Sequence, residues 1–241
     1  GMLRYGIPDY RLPQDKLDAD IDFILSTGIE VHTGVSIGRD ISFAEIENQY
    51  DAVYISIGAH NDKKIGIPGE DAVGVHSAVQ LLRDIGEGRV PDFKGKRVCV
   101  IGGGNVSMDA TRTAIRLGAS AVTCVYRRRV TDMTALAEEI EEAQSEGCQI
   151  LSLQAPDHIE TDETGRVTAL WTRPQVIGAY GKDGRPRPYD ADQPLLRTPC
   201  DVVIVAIGQS IDAKPFEQIA PVVRGKIQAE SDAFVPNTPH V

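Results

Sequence analysis

A short glycine-rich turn carries the clearest chemistry in this sequence. Its residues, in order, are Gly102, Gly103, Gly104, Asn105, Val106 and Ser107. A strand-like run at residues 96–101 precedes the turn, and a segment with helical spacing follows it as far as Gly118. A pattern close to Gly-x-Gly-x-x-Gly in this context is typical of a dinucleotide-binding turn. The sequence therefore predicts that the turn binds the pyrophosphate of a dinucleotide.

The residue types in the turn suit this role. Gly102 allows the chain to leave the strand sharply, and Gly104 has no Cβ, so a pyrophosphate can approach the backbone closely. Ser107 takes the third position of the pattern, where a small residue is needed for close packing of the helix on the strand. We expect the helix to begin beneath the phosphates, with its free N–H groups and its positive dipole end facing them.

Three arginines at the end of the next strand indicate which nucleotide is bound. A second apolar run ends at Tyr126 and is followed by Arg127, Arg128 and Arg129. An NAD site usually has Asp or Glu about 20 residues after the turn, where it binds the ribose hydroxyls. Arginine can instead bind a 2′-phosphate through charge-assisted hydrogen bonds. We therefore expect NADP(H) rather than NAD(H); the alternative is a tight turn that carries a solvated run of charge.

The composition narrows the class of protein. The chain has 241 residues and a net charge of −10. This length suits one large domain or two modest ones, and the acidic balance argues against nucleic acid or an anionic membrane as a partner. No apolar run reaches the roughly 18 residues of a membrane span, so we expect a cytoplasmic protein without membrane contact. Against this acidic background the arginine run is favoured as a specific anion site.

The cysteines and histidines indicate neither a catalytic nor a metal site. The four cysteines are Cys99, Cys124, Cys148 and Cys200, and none is spaced as a C-x-x-C pair or a zinc knuckle. We expect them to be buried as small hydrophobic residues. The five histidines are scattered without a partner at ligand spacing. The sequence thus predicts no catalytic acid, base or nucleophile, although hydride transfer between cofactors needs none.

Hydrophobic periodicity predicts helices alternating with strands. Helices are expected at residues 15–26, 77–87 and 135–146, with a further capping-box spacing at Ser42 and Glu45. Strands are expected at residues 29–33, 50–57, 121–126, 149–153, 165–176 and 201–207. A polar connection at residues 178–192 makes the strand at 165–176 part of a long hairpin, and its Arg185 and Arg187 are assigned to a solvated loop.

Two of these strands share one sequence pattern. Residues 51–58 and 201–208 both read Asp-x-Val-x-x-x-Ile-Gly, and both are suited to the interior of a parallel sheet. They flank the nucleotide-binding unit on either side. We therefore expect one domain inserted into another, with these strands as its entry and exit; the alternative is two unrelated buried strands.

Taken together, these motifs resemble the small, NADPH-oxidising subunit of glutamate synthase and its relatives. The segments that carry the resemblance include Gly6-Ile-Pro-x-Tyr-Arg-Leu-Pro13, Gly66-Ile-Pro-Gly-Glu-Asp71, Val100-Ile-Gly-Gly-Gly104, Tyr126-Arg-Arg128 and Val205-Ala-Ile-Gly-Gln209. The resemblance implies a flavoprotein in which NADPH delivers hydride to FAD. Electrons then pass through iron–sulfur clusters to a large subunit, which in glutamate synthase makes glutamate from glutamine and 2-oxoglutarate.

The resemblance also implies the architecture and the site. We expect an α/β fold in which a doubly wound, Rossmann-like NADPH-binding domain at residues 65–208 carries a β-hairpin excursion. It would be inserted between partial segments of an FAD-type α/β domain at residues 1–64 and 209–241. The candidate cofactor-binding residues are Gly102, Gly103, Gly104, Asn105, Val106, Ser107, Tyr126, Arg127, Arg128, Arg129, Ala206, Ile207 and Gly208.

The sequence departs from the family in several places. It has no second Gly-x-Gly-x-x-Gly for FAD and no cysteine-rich iron–sulfur segment, and residues 237–241 stop before the Gly-Gly-Asp element that closes over FAD. Thr134 stands where relatives often have Pro. We therefore expect a fragment of a larger protein that binds NADP(H) but does not hold FAD stably.

Three readings of the function stay open at this point. The first is an enzyme fragment of the glutamate synthase type, whose partner would be a large subunit. The second is another flavoprotein of the same architecture, such as an electron-bifurcating transhydrogenase or a dihydropyrimidine dehydrogenase-like enzyme. The third is a non-catalytic NADP(H)-binding module. A homodimer, in which a second copy covers exposed edges, also stays open.

Overall fold

A computed structural model of the chain describes residues 1–181, 184–223, 225–230, 234–236 and 241. The chain divides into two compact units. The larger comprises Gly1–Pro13 and Asp62–Gly208, and the smaller comprises Gln14–Asn61 and Gln209–Val241. Residues 1–13, which we expected among the flanking segments, group with the larger unit. The assignment of the units to an NADPH-binding domain and to parts of an FAD-type domain stays a prediction. Most of residues 237–241, which the sequence compares with the FAD-closing element, lie outside the described residues.

The described helices are, in chain order, α1 (Met2–Tyr5), α2 (Gln14–Leu25), α3 (Phe43–Gln49), α4 (Ala78–Gly86), α5 (Asn105–Arg116) and α6 (Ala137–Ser145). Short 3₁₀ turns lie at Val130–Asp132 and Lys214–Phe216. The helices expected at residues 15–26, 77–87 and 135–146 are confirmed within about two residues, the usual uncertainty of helix ends. Among the residues described, no helix has the length and hydropathy needed to cross a bilayer.

The described strands are β1 (Asn61–Asp62), β2 (Val75–Ser77), β3 (Arg97–Ile101), β4 (Ala121–Tyr126), β5 (Gln149–Ser152), β6 (Gln154–Thr161), β7 (Val167–Tyr180), β8 (Pro186–Asp190), β9 (Leu196–Pro199), β10 (Val202–Val205), β11 (Gln209–Ser210), β12 (Val222–Val223) and β13 (Lys226–Ile227). A five-stranded sheet has the order β2-β10-β3-β4-β5. Every pairing in it is parallel. The expected α/β class with a parallel sheet is thus confirmed.

Both faces of this sheet are covered, which explains why its central strands β3, β4 and β10 are largely apolar. In β3, Val98 and Val100 belong to the core formed with α4 and α5. The alternate residues Cys99 and Ile101 belong to a second core, to which β7 contributes Leu170. Helices therefore cover one face and an antiparallel sheet covers the other.

The antiparallel sheet is the expected β-hairpin excursion. Its long strand β7 pairs with β6 along one edge, and along the other edge with β9 in its first half and β8 in its second. The strand is longer than the sequence predicts, because the pairing with β8 extends it to Tyr180.

The smaller unit differs most from the sequence expectations. Its core contains Phe43 and Phe216, whose rings meet edge to face at 6.0 Å, and Ser42 and Glu45 form the expected capping box. Residues 29–33 and 50–57 are not strands. Residues 50–57 alternate between half-buried and exposed side chains as a strand would, but they pair with no strand among the described residues. Apolar alternation without a hydrogen-bonded neighbour gives only extended chain.

A buried arginine connects α5 with α6. The side chain of Arg112 is only 8% exposed, and its guanidinium forms ion pairs with Glu139, Glu142 and Glu146. On its other side it lies 4.7 Å from the ring centroid of Tyr10. Segment 1–13 is thereby held on the helices of the larger unit.

Replacing Arg112 by Ala should destabilise the larger unit. Breaking a buried ion pair costs roughly 3–5 kcal/mol, and because these carboxylates are partly solvated we expect a loss of about 2–3 kcal/mol. Trp171, the single tryptophan, lies in β7, so its fluorescence during urea unfolding reports on this unit. The matched control is Arg116→Ala on the next turn of α5; Arg116 also binds Glu146 but is 45% exposed. That change should cost less than about 1 kcal/mol, and equal losses would contradict the account.

Candidate dinucleotide-binding cleft

A cleft of ≈ 530 Å³ opens at the carboxyl ends of β3, β4 and β10, entirely within the larger unit. The next strand along the chain, β4, lies on one side of β3, and the later strand β10 lies on its other side. Ligands of open parallel sheets bind at such a switch point. The described residues that line the cleft are Ile65, Ile101, Gly102, Gly103, Gly104, Asn105, Val106, Val125, Tyr126, Arg127, Arg128, Thr134, Pro156, Arg185, Ala206, Ile207 and Gly208.

The first two glycines of the turn are required by close contacts of the backbone. Gly102 has φ +153°, and a Cβ on it would lie 2.4 Å from the carbonyl oxygen of Ala206. A Cβ on Gly103 would lie 2.4 Å from Cε2 of the Tyr126 ring. Any side chain at either position would force β10 or Tyr126 away from the turn. Sequence analysis assigned a sharp turn to Gly102 but no role in packing to Gly103.

Backbone donors surround the start of α5. Gly104 is the N-cap residue and has no side chain to accept a hydrogen bond. Within the described part of the chain, no acceptor receives the N–H groups of Gly103, Gly104, Asn105 or Val106. Unpaired donors at a helix N-terminus form a binding site for an anion. A Cβ on Gly104 would meet only the hydroxyl oxygen of Thr134, at 3.4 Å, so this glycine leaves open space in front of the donors.

Ser107 lies beneath the turn and not in the cleft. Its side chain is fully buried, and its hydroxyl donates a hydrogen bond of 2.5 Å to the carbonyl oxygen of Gly104. A Cβ on Gly102 would lie 3.1 Å from the Cβ of Ser107. A small residue is therefore needed here, as the sequence analysis expects for the third position of the pattern.

A loop before α6 closes one side of the turn. The N–H groups of Thr134 and Ala135 donate to the carbonyl oxygen of Gly103 at 2.8 and 3.0 Å. The side-chain oxygen of Asn105 accepts a hydrogen bond of 3.0 Å from the N–H of Leu136. Asn105 thus holds this loop against the first turn of α5.

The three arginines after β4 have different surroundings. Arg127 is exposed at the cleft and has no hydrogen bond or ion pair with any described residue. Arg128 also lines the cleft but is buried, and its Nε donates to the carbonyl oxygen of Pro186 at 2.7 Å. Arg129 lies outside the cleft lining and forms a fork with both carboxylate oxygens of Asp132, at 2.8 and 2.9 Å. Of the three arginines, Arg127 is therefore the one whose guanidinium is best placed to bind an anionic ligand in the cleft.

Sequence analysis missed two polar residues of the cleft. Arg185, assigned to a solvated loop, lies in the cleft wall, where its Nη2 donates to the hydroxyl oxygen of Tyr126 at 2.7 Å. Thr134 lies opposite Gly104. The local sequence around Arg185 carries no signal for this position, because it depends on how the β7–β8 hairpin packs beside β4.

Electrostatics in the cleft favour an anion. Partial desolvation of its guanidinium at the cleft, together with the positive charges of Arg128 and Arg185, lowers the pKa of Arg127, which nevertheless stays charged at neutral pH. No Asp or Glu is present among the described residues that line the cleft. Groups of three or more side chains that could hold a metal ion are absent from the described residues. The backbone donors and the arginines thus give the cleft the chemistry that suits an anionic, phosphorylated ligand.

The family follows from comparison with known proteins. Residues 8–241 match the pyridine nucleotide-disulphide oxidoreductase family. The chain belongs to this family. This oxidoreductase family member has the same fold as FprA from Mycobacterium tuberculosis. The chain superposes on FprA in complex with NADPH with a TM-score of 0.78. The match covers 100% of this chain and 68% of FprA at 18% identity.

Curated relatives confirm the resemblance that the motifs indicate. The chain is 34% identical to the glutamate synthase (NADPH) small chain of Halomonas elongata over 91% of its own length and 48% of the relative's. It is 37% identical to the NADPH-Fe(3+) oxidoreductase subunit beta of Geobacter sulfurreducens over 88% of its own length and 32% of the relative's. This member of the oxidoreductase family thus spans about a third to a half of the length of these relatives.

The glycines of the turn should respond very differently to substitution. Gly102→Ala requires an unfavourable φ and a 2.4 Å contact with a backbone oxygen, so we expect it to destabilise the larger unit by about 2–4 kcal/mol. Gly104→Ala has φ −106° and ordinary contacts, so the same unit should lose less than about 1 kcal/mol. Urea unfolding followed by Trp171 fluorescence measures both. A Gly102→Ala variant as stable as Gly104→Ala would show that the contact with Ala206 is not a constraint.

Proposed function

We propose that this chain is the NADPH-binding part of an FAD-dependent oxidoreductase. NADPH would pass hydride to FAD, and electrons would go on to a partner subunit, as in glutamate synthase. The observation that carries the proposal is Arg127, a cation without a partner among the described residues, next to a turn of unpaired backbone donors. A dinucleotide has a pyrophosphate for the donors and, in NADPH, a 2′-phosphate for the cation.

The two halves of the cleft fit different parts of the nucleotide. The N–H groups of residues 103–106, at the positive end of α5, would hold the pyrophosphate, which NADPH and NADH share. Arg127 and Arg128 follow β4, which lies beside β3 in the sheet, and would hold the 2′-phosphate. Ala206, Ile207 and Gly208 follow β10 and would form the wall on the other side. Only the arginine end can distinguish the two nucleotides.

Electron transfer onward is proposed from the relatives. Two of them are named as a small chain or a beta subunit of NADPH-linked enzymes, which supports a larger partner subunit for this protein. The bound flavin would supply the redox chemistry, while this chain would bind and orient NADPH. The relatives are named for different reactions, so a transhydrogenase-like or dihydropyrimidine dehydrogenase-like flavoprotein stays an alternative. A neighbouring gene for a glutamine-hydrolysing large subunit would favour glutamate synthase.

A non-catalytic NADP(H)-binding module is the alternative of another class. NADPH oxidation by the chain with added FAD and an artificial electron acceptor separates the two. Activity above that of a heat-denatured sample favours the enzyme, whereas nucleotide binding without activity favours the module.

Replacing Arg127 by Ala should weaken NADPH selectively. A hydrogen bond between charged groups contributes about 1.5–3 kcal/mol, so the Kd for NADPH should rise roughly tenfold or more, while that for NADH changes less than about twofold. Fluorescence titration of both reduced nucleotides measures this. Arg129→Ala is the matched control, because Arg129 is a neighbouring cation paired with Asp132 outside the cleft; it should leave the ratio of the two Kd values unchanged.

Gly104→Ala provides a second comparison in the same titration. A methyl group in front of the backbone donors should weaken NADPH and NADH equally, since both carry the pyrophosphate. If Arg127→Ala also weakened the two nucleotides equally, the arginine would serve general packing and the assignment of the 2′-phosphate would be wrong.

The 241-residue chain should not retain FAD after purification. Its sequence has a single glycine-rich turn of the dinucleotide type, and that turn lines the cleft at the carboxyl ends of β3, β4 and β10. The absorbance of the purified chain near the flavin bands should therefore be negligible. A yellow sample with stoichiometric FAD would contradict this expectation.

A further inference from the structure

We infer that Arg185 is a third cation of the proposed 2′-phosphate site. This residue precedes β8, in the antiparallel sheet, and is far in sequence from the arginines that follow β4. The inference rests on the proposed function, in which the cleft binds NADPH. It assigns the β-hairpin excursion a part in selecting the nucleotide, in addition to covering one face of the parallel sheet.

Hydrogen bonds hold the Arg185 guanidinium at the end of β4. Its Nη2 donates to the hydroxyl oxygen of Tyr126 at 2.7 Å and to the carbonyl oxygen of Asp132 at 3.3 Å. The Tyr126 hydroxyl donates in turn to the same carbonyl oxygen at 2.8 Å. The Tyr126 ring lies directly over Gly103. The position of Arg185 is therefore coupled to the turn itself, and it is not a freely solvated side chain.

A second contact joins the hairpin to the arginine run. The Nε of Arg128 donates to the carbonyl oxygen of Pro186, the residue after Arg185. The chain on both sides of the peptide bond between Arg185 and Pro186 is thus bound to the end of β4. The backbone beside Arg185 and the Nη2 atom of its side chain are therefore both fixed near the arginine run.

The charges give the reason for expecting an anion. Arg127, Arg128 and Arg185 line one cleft, and the charges of the latter two contribute to the lowered pKa of Arg127. The described residues that line the cleft include no Asp or Glu. A phosphate monoester carries a charge of about −1.5 to −2 near neutral pH, and arginine forks match its oxygens. The 2′-phosphate of NADPH is the group in the proposed ligand that meets this requirement and that NADH lacks.

The test compares Kd values for NADPH and NADH in the full chain. Arg185→Ala should raise the Kd for NADPH about tenfold and that for NADH less than about twofold. Arg187→Ala is the matched control, because Arg187 is an exposed arginine of the same hairpin that does not line the cleft; both Kd values should stay unchanged. Arg185→Lys keeps the charge without the fork and should retain part of the preference even if the alanine variant folds poorly.

Tyr126→Phe separates a direct contact from an indirect one. It removes only the hydroxyl group that Arg185 binds, so a residue that acts by holding Tyr126 in place would be mimicked by this variant. We expect the loss of NADPH preference in Tyr126→Phe to be smaller than in Arg185→Ala. An equal loss in the two variants would overturn the assignment of Arg185 to the phosphate.

The remaining outcomes distinguish this inference from the proposed function. An unchanged preference in Arg185→Ala, or an equal weakening of NADPH and NADH, overturns the role of Arg185 while a loss of preference in Arg127→Ala still supports the proposed function. If the unaltered chain binds NADPH and NADH equally, the proposed function itself fails. Loss of preference in Arg185→Ala and its partial retention in Arg185→Lys support the inference.

Discussion

The close approach of three chain segments at Gly102 and Gly103 is the constraint on which the larger unit depends. The backbone of the turn lies between the carbonyl oxygen of Ala206, at the end of β10, and the ring of Tyr126, at the end of β4. A single methyl group at either glycine would lie 2.4 Å from its neighbour. The turn can therefore take this path only without side chains, and its path decides where α5 begins.

The same constraint produces the site. Because the turn cannot move towards Ala206 or Tyr126, its N–H groups face the open side of the sheet, where the described residues offer them no acceptor. The tyrosine that closes the turn also positions a guanidinium from the antiparallel sheet. Packing and the proposed ligand binding thus involve the same few atoms. The hydrogen bond from Arg185 to Tyr126 also brings a positive charge to the end of β4.

Several other arginines of the larger unit form ion pairs with carboxylates. Arg112 and Arg129 are each matched with carboxylates, and Arg97 forms a fork with Asp201. These pairs offset charge within the protein and leave little attraction for a ligand. In a chain of net charge −10, the cleft is distinctive because its described lining includes three arginines and no carboxylate. Their arrangement favours an external anion.

Much of the fold could be predicted from local sequence, and the failures have a common cause. The strand, turn and helix around residues 96–118 and the hairpin excursion are present, because periodicity and glycine placement determine them locally. Residues 50–57 have the alternation of a strand, but a strand also needs a neighbour, which no pattern supplies. The location of residues 1–13 depends on Tyr10 packing against Arg112, and Arg185 reaches the cleft only through the pairing of β7 with β8. Each of these outcomes depends on contacts between distant segments.

We propose that the cleft recognises the 2′-phosphate of NADPH. Calorimetric titration of the unaltered chain with adenosine 2′,5′-bisphosphate and with adenosine 5′-monophosphate tests it most directly, since the two ligands differ only in that phosphate. We expect the bisphosphate to bind at least about tenfold more tightly, with an advantage that falls as salt screens the arginines. Equal affinities for the two ligands, or an advantage insensitive to salt, would contradict the account.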